Sequence, residues 1–222
     1  MASRKTARVL ATMIMAMVGM LPAVAGADDP DRHDFYYRHF VGGRFGTWIN
    51  SGDTRPVIQS RYDAEELSSS SLYGEFFYSH RFLPALALEI NLGIYSRGEI
   101  RYFDDIDTYL GKVNLYPIIL SAKIYPLAFI KRTMFHPYLQ IGGGLFYGKR
   151  DQIDYFNYIW LEDSETRISF ALGGGVDLPV ADQISLTTNV RYTPIKFGEP
   201  LAEYEDYSGW QITVGVGYIF KN

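Results

Sequence analysis

The sequence predicts an all-β protein, an eight-stranded antiparallel up-and-down transmembrane β-barrel. Three observations predict it. Extended segments alternate apolar residues with small or polar ones at period two. After residue 27 no apolar run approaches the roughly 20 residues that a membrane helix needs. The connectors alternate between long and short, as in a barrel with short turns on one side of a membrane and long loops on the other.

Composition narrows the function classes. The chain has 222 residues, a formal net charge of −4, 18 Tyr, 14 Phe and no Cys. The negative balance argues against a nucleic-acid binder driven by bulk positive charge. The lack of Cys excludes a disulfide scaffold, a thiolate metal site and a Cys nucleophile. The aromatic content argues against disorder.

The N-terminus reads as an export address. Arg4, Lys5 and Arg8 precede the apolar run Val9 to Val18, and Ala23-Val24-Ala25-Gly26-Ala27 supplies small residues for cleavage. We expect residues 1–27 to be a cleaved signal peptide and residues 28–222 to be the outer-membrane barrel domain. The run is short for a membrane span, and Asp28-Asp29-Pro30-Asp31-Arg32 follows it.

Eight strands are expected at about 38–49, 71–82, 86–97, 111–125, 136–148, 167–178, 184–196 and 209–220. The last is the clearest. Trp210, Ile212, Val214, Val216, Tyr218 and Phe220 fall on one face; Gln211, Thr213, Gly215, Gly217 and Ile219 fall on the other. Strand 184–196 sets Ile184, Leu186, Val190 and Tyr192 against Ser185, Thr187, Asn189 and Arg191. Strand 86–97 sets Leu86, Leu88, Ile90, Leu92 and Ile94 against Ala87, Glu89, Asn91, Gly93 and Tyr95. Long loops are expected at 50–70, 98–110, 149–166 and 197–208. Shorter turns are expected at 83–85, 126–135 and 179–183. An even strand number puts both termini on the periplasmic side. A soluble lipocalin-like barrel would point its apolar face inward; the polar face here, rich in Gly, Ser and Thr, suits a narrow lumen instead.

Aromatics near strand ends suggest two lipid-facing girdles. Trp48, Tyr147, Tyr192 and Trp210 belong to the outer rim, and Tyr78, Tyr125, Tyr218 and Phe220 to the inner rim. The apolar phase flips at Pro117 and again at Pro194, and each flip predicts a β-bulge.

The segment Leu115-Tyr116-Pro117-Ile118-Ile119-Leu120-Ser121-Ala122-Lys123-Ile124-Tyr125, followed by His136-Pro137-Tyr138-Leu139-Gln140-Ile141-Gly142-Gly143-Gly144, carries a resemblance. So do Ala171-Leu172-Gly173-Gly174-Gly175-Val176-Asp177 and the closing Gly215-Val216-Gly217-Tyr218-Ile219-Phe220. The chain resembles the small outer-membrane barrel family that includes OmpW and the OmpA transmembrane domain. The resemblance implies an outer-membrane location and a terminal aromatic, here Phe220, that the barrel-assembly machinery reads. Lys221-Asn222 after it is a small departure. OmpW-type barrels are thought to carry small hydrophobic compounds through an apolar lumen, whereas the OmpA type is plugged.

An eight-stranded barrel is just wide enough for side chains to fill it. The expected inward set includes Arg44, Glu75, Glu89, Arg97, Lys123, Gln140, Asp177, Asn189, Arg191 and Gln211. Of these, Arg44, Glu75, Glu89, Lys123, Asp177 and Arg191 form the expected polar network. Loop-centred pairing puts Arg44 opposite Glu75, and Glu89 within a few residues of Lys123. This charged interior leans towards the plugged type. The glycine runs Gly142–Gly144 and Gly173–Gly175 are expected nearly side by side, giving curvature and room for large neighbours such as Tyr138 or Phe146.

No catalytic, cofactor-binding or metal site is expected. Lipid A-modifying barrels use a His with Ser and an acid. None of His33, His39, His80 and His136 has Ser two residues later. Asp163-Ser164 lies in an expected outer loop, far from the His80 and His136 rim. The expected role is structural, in membrane integrity, with narrow porin-like passage of small solutes as an addition. A lipid A-modifying enzyme and a surface adhesion or receptor barrel are the alternatives. Expected partners are outer-membrane lipids, lipopolysaccharide and, during biogenesis, the barrel-assembly machinery, with no nucleic acid. The sequence sets no oligomeric state.

Overall fold

The structure, a computed structural model, describes residues 39–52, 70–104, 106–128, 135–154, 159–201 and 204–220. The expected signal peptide lies outside the described residues, as does most of the 50–70 connector. The strands are β1 (His39–Asn50), β2 (Ser70–Leu83), β3 (Leu86–Asp104), β4 (Ile106–Ile124), β5 (His136–Asp154), β6 (Ile159–Ala181) and β7 (Ile184–Thr193). Then follow β8 (Lys196–Leu201), β9 (Tyr204–Asp206) and β10 (Gly209–Phe220).

Among the described residues, eight strands close a barrel in the order β1-β10-β7-β6-β5-β4-β3-β2. All its pairings are antiparallel, and β1 closes against β10 from His39↔Phe220 to Asn50↔Gly209. The expected fold class is the observed one. Closure matters in lipid, where no water is present to satisfy a free strand edge. One end of the barrel carries the starts of β1 and the end of β10 and is called the termini end; the other is the loop end.

Alternation sorts the faces as the sequence implies. Outward side chains include Phe45, Leu72, Phe76, Leu88, Ile90, Leu92, Ile118, Leu120, Ile141, Ile168, Phe170, Leu172 and Val216, all exposed. Apolar exposure on this scale marks a surface made for lipid. The glycine rows serve the other face. A Cβ on Gly215 would meet Arg44 Cα at 2.7 Å, and one on Gly173 would meet Arg191 Cα at 2.7 Å. Arg44 and Arg191 therefore each lie beside a residue without a side chain.

Several expectations are corrected. Among the described residues, 98–104, 106–110, 149–154 and 159–166 are strand, not loop. The β3–β4 hairpin runs on to Asp104↔Ile106 and the β5–β6 hairpin to Asp154↔Ile159. Charged residues there pair across the strands, Arg150 with Asp163 and Lys149 with Glu162, and Lys149 also meets Asp151 on its own strand. The hydrogen-bonding carboxylates of Glu162 and Asp151 hold the Lys149 ammonium above its usual range.

No bulge sits at Pro117. The β3–β4 register is the same on both sides of it, Leu92↔Ile118 and Tyr95↔Leu115; the shifts fall at Ser96/Gly98 and Ile100/Arg101. Val113 and Leu115 keep the parity of Lys123 and point inward, where they are fully buried. Nor is there a bulge at Pro194, because β7 ends at Thr193 and the chain leaves the barrel wall. Trp48 and Tyr125 are buried inside the barrel rather than in the lipid girdles. Tyr147 and Trp210 at one end, and Tyr78, Tyr218 and Phe220 at the other, do face outward. The triple-glycine runs are staggered, with Gly173–Gly175 opposite Tyr138–Gln140 and Gly142–Gly144 opposite Ser169–Ala171.

Candidate functional site

The interior is where the sequence places its costliest residues. β1 supplies Arg44, β2 Glu75, β3 Glu89, β4 Lys123 and β7 Arg191, each on the inward parity of its strand. Register sets Arg44 opposite Glu75 in β1–β2 and Glu89 diagonal to Lys123, through the pairs Glu89↔Ser121 and Ala87↔Lys123.

The five form one ladder of alternating charge. Arg191 Nη2 donates to Glu75 Oε2 at 2.7 Å, and Arg44 Nη1 donates to Glu75 Oε1 at 2.8 Å. Arg44 Nη2 donates to Glu89 Oε2 at 2.7 Å, and Lys123 Nζ reaches the same oxygen at 2.5 Å. All five side chains have 0% relative accessibility. Neutral donors and acceptors fill part of the shell. Tyr73 Oη donates to Glu75 Oε2 at 2.7 Å, Arg191 Nε donates to Gln211 Oε1 at 2.6 Å, and Arg44 Nη1 also contacts Asn91 Oδ1 at 3.3 Å. These bonds offset part of the desolvation cost of the buried ions, while Arg44 Nε, Glu89 Oε1 and Arg191 Nη1 have no hydrogen-bond partner among the described residues. Aromatic faces add to the offset: Arg44 Cζ lies 4.0 Å from the Phe77 ring centroid and Lys123 Nζ 4.0 Å from that of Tyr138.

Asp177, the sixth expected member, lies nearer the termini end and accepts the Tyr125 hydroxyl at 2.8 Å. Arg81, which the sequence reading omitted, stacks its guanidinium 3.8 Å from the Tyr125 ring centroid. Gln140 and Asn189 are buried together, with Asn189 Nδ2 donating to Gln140 Oε1 at 2.7 Å. The side chain of Arg97 lies outside the described residues.

Sequence reasoning also missed an apolar layer towards the loop end. Trp48, Tyr73, Tyr95, Val113, Leu115, Ile119, Phe146 and Ala171 pack with Ile195, Phe197, Leu201 and Tyr207 in one buried cluster. Trp48 stacks on Tyr95 with centroids 4.7 Å apart and meets Tyr73 edge-on at 5.7 Å. The last four residues come from the segment after β7, where β8 and β9 pair as a small hairpin. Polar contacts fix this cap. Tyr207 N donates to Ile195 O at 2.9 Å, and the amides of Gly198 and Glu199 donate to the Glu165 carboxylate at 2.9 and 3.0 Å.

Among the described residues, Ser79, Ser164, His80 and His136 form no hydrolytic triad. Ser79 is buried in the lumen, whereas neighbouring His80 lies on the outer face. Ser164 pairs with Lys149 and His136 with Asp177. The rise along β6 from 164 to 177 is roughly 40 Å.

Comparison with known proteins places this architecture. The model of the outer membrane protein beta-barrel domain matches residues 13–220. The chain belongs to this family. It is a small β-barrel protein of the bacterial outer membrane. Among solved structures it is similar to the outer membrane protein OprG from Pseudomonas aeruginosa, at 16% identity and a TM-score of 0.56, covering 84% of this chain and 97% of that one. It is also similar to Neisserial surface protein A, at 15% identity and a TM-score of 0.52, covering 82% of this chain and 97% of that one. AlkL, solved in DMPC lipid bilayers, matches at 15% identity with a TM-score of 0.52, covering 89% of this chain and 97% of that one. At these identities the likeness is one of fold. No curated protein matches the chain in sequence.

Proposed function

We propose that this family member is a structural barrel of the outer membrane whose lumen is closed in its resting state. One observation carries the reading: the five charged side chains that cross the barrel interior have no accessible surface. A water-filled path past them would leave them wetted. The aromatic cap closes the lumen a second time towards the loop end. The role is non-enzymatic and concerns membrane integrity. In this reading residues 1–27 direct export and are removed, both termini face the periplasm, and the loop end faces out among lipopolysaccharide. Phe220 serves as the terminal aromatic that the assembly machinery reads.

The test is electrical. The mature chain, reconstituted in a planar lipid bilayer, should show no steady conductance. Glu75→Gln, which removes the carboxylate shared by two guanidinium groups, should produce intermittent openings. Steady conductance from the unaltered chain would contradict the closed lumen and favour solute passage instead. A mass change in lipid A on expression, abolished by Ser164→Ala, would replace the structural role with an enzymatic one.

A further inference from the structure

The hairpin that joins β7 to β10 leaves the barrel wall before it turns. Up to Thr193↔Gly209 it is wall. Beyond that pair the two chains keep the same register, with Tyr207 N donating to Ile195 O at 2.9 Å and Lys196 paired with Asp206. Yet β8 and β9 form a two-stranded sheet apart from the barrel. The β6–β7 ladder stops at Leu172↔Tyr192, while β6 itself runs on, paired with β5, to Ile159.

Pro194 explains the parting. Ile195 O faces the β10 side, so its neighbour Pro194 turns its backbone to β6, where Ser169 Oγ donates to Pro194 O. Proline has no N–H with which to extend the β6 ladder. On the returning chain Ser208 stays in the wall, because the amides of Ser51 and Gly52 donate to its carbonyl at 2.8 and 3.3 Å. The bend therefore falls at 194–195 and 207–208. Past it the tip coheres through its own bonds, including Tyr207 Oη to Leu201 O at 2.6 Å. Among the described residues β8 and β9 pair with each other and with no barrel strand. Side chains hold the tip to the barrel instead. Ile195, Phe197, Leu201 and Tyr207 are buried in the aromatic layer, and the Glu165 carboxylate of β6 accepts the amides of Gly198 and Glu199 at 2.9 and 3.0 Å.

We propose that this tip, residues 195–201 and 204–207, is a hinged lid, with Pro194 and Ser208 as its hinge and Glu165 as its latch. It swings as one body, breaks the two amide bonds to Glu165 and lifts its four apolar side chains off the aromatic layer. Arg167 Nε, 3.2 Å from Glu165 Oε1, steadies the latch in the closed position. An element held only by side chains and a polar latch opens at a lower free energy than the laddered wall around it. Opening exposes the aromatic layer to the loop end and leaves the charge ladder beneath it in place. The lid thus controls entry to the outer part of the lumen, not passage across it. The inference rests on the closed lumen proposed above.

The experiment uses the full mature chain in lipid nanodiscs. Residue-resolved hydrogen exchange should show the Gly198 and Glu199 amides exchanging far faster than those of β7, while the Tyr207 amide, bonded inside the tip, keeps its protection. Val113→Cys places one buried thiol in the aromatic layer of a chain that has no other. It should react slowly with a water-soluble thiol reagent, and adding Glu165→Gln should raise that rate about 5- to 30-fold. Glu162→Gln, on the outer face, should leave the rate unchanged. In planar bilayers Glu165→Gln should stay silent, because the charge ladder is untouched. Exchange of Gly198 and Glu199 only on global unfolding would make the tip a fixed part of the wall and overturn the proposal. So would loss of Tyr207 protection together with theirs, which is melting rather than swinging, or a thiol rate that Glu165→Gln does not change. Openings produced by Glu165→Gln alone would also overturn it, and they differ from conductance of the unaltered chain, which contradicts the closed lumen itself.

Discussion

Glu75 is the residue on which the interior turns, because its two oxygens are divided between Arg44 and Arg191. Removing one partner of a buried ion pair leaves an uncompensated charge, at a cost of about 3–5 kcal/mol. We expect Glu75→Gln to lower unfolding stability by that amount, measured by urea titration in detergent micelles through Trp fluorescence. A loss smaller than about 1 kcal/mol would mean that the ladder is hydrated and relaxed. The glycines divide in the same way. Gly215→Ala must push against Arg44 and the Gly43 carbonyl, and should cost about 1–3 kcal/mol as overpacking. Gly43→Ala points outward, with its nearest neighbour, Glu75 O, at 3.8 Å, and should be neutral or mildly stabilising. Equal effects at the two positions would contradict the inward and outward assignment. Side-chain parity was legible in the sequence but was not carried through. Arg44 and Trp48 stand four residues apart on one strand, so an inward Arg44 requires an inward Trp48. The same holds for Lys123 and Tyr125. Aromatic type suggested lipid; parity, which is geometric, decides.

At the scale of elements, the strands were readable where lipid imposes alternation and misread where it does not. Above the lipid band the β3–β4 and β5–β6 hairpins continue on backbone pairing and opposite charges, with Arg150 facing Asp163 across the ladder. Runs of such residues look like loop because no apolar period marks them. The flip at Pro117 misled for a related reason. Val113 and Leu115 are apolar because the loop end of the lumen is apolar, not because the strand changes face. The cap was likewise invisible, since burying Ile195, Phe197, Leu201 and Tyr207 depends on long-range closure. It gives an element-scale prediction. Leu201→Ala should cost the cap about 2–5 kcal/mol, while the barrel, held by its own ladders, stays folded. Limited proteolysis should then cut within 196–208 much faster than in the unaltered chain, with no change in heat-modifiable gel mobility. Unchanged cleavage there would show that Leu201 does not anchor the cap.

For the whole molecule, the decisive quantity is which face of each strand meets which environment. The outer face is apolar across the lipid band, and the inner face holds buried ions beneath an aromatic layer. Fold class and strand order followed from period, connector length and the lack of a helical span, all local properties. The shape of the lumen did not, because it depends on which side chains meet across the barrel. The chain contains no Cys, so each introduced Cys is unique. The most direct measurement is a Cys scan of β10 from 210 to 220 in lipid vesicles. Each variant is read by a membrane-impermeant thiol reagent and by quenching of an attached fluorophore with brominated lipid. Positions 212, 214 and 216 should be quenched by lipid and resist the reagent, while 211, 213 and 215 should resist both. Rapid labelling of 211, 213 and 215 from water would contradict a sealed interior, and labelling of 212, 214 and 216 would contradict the lipid-facing wall itself.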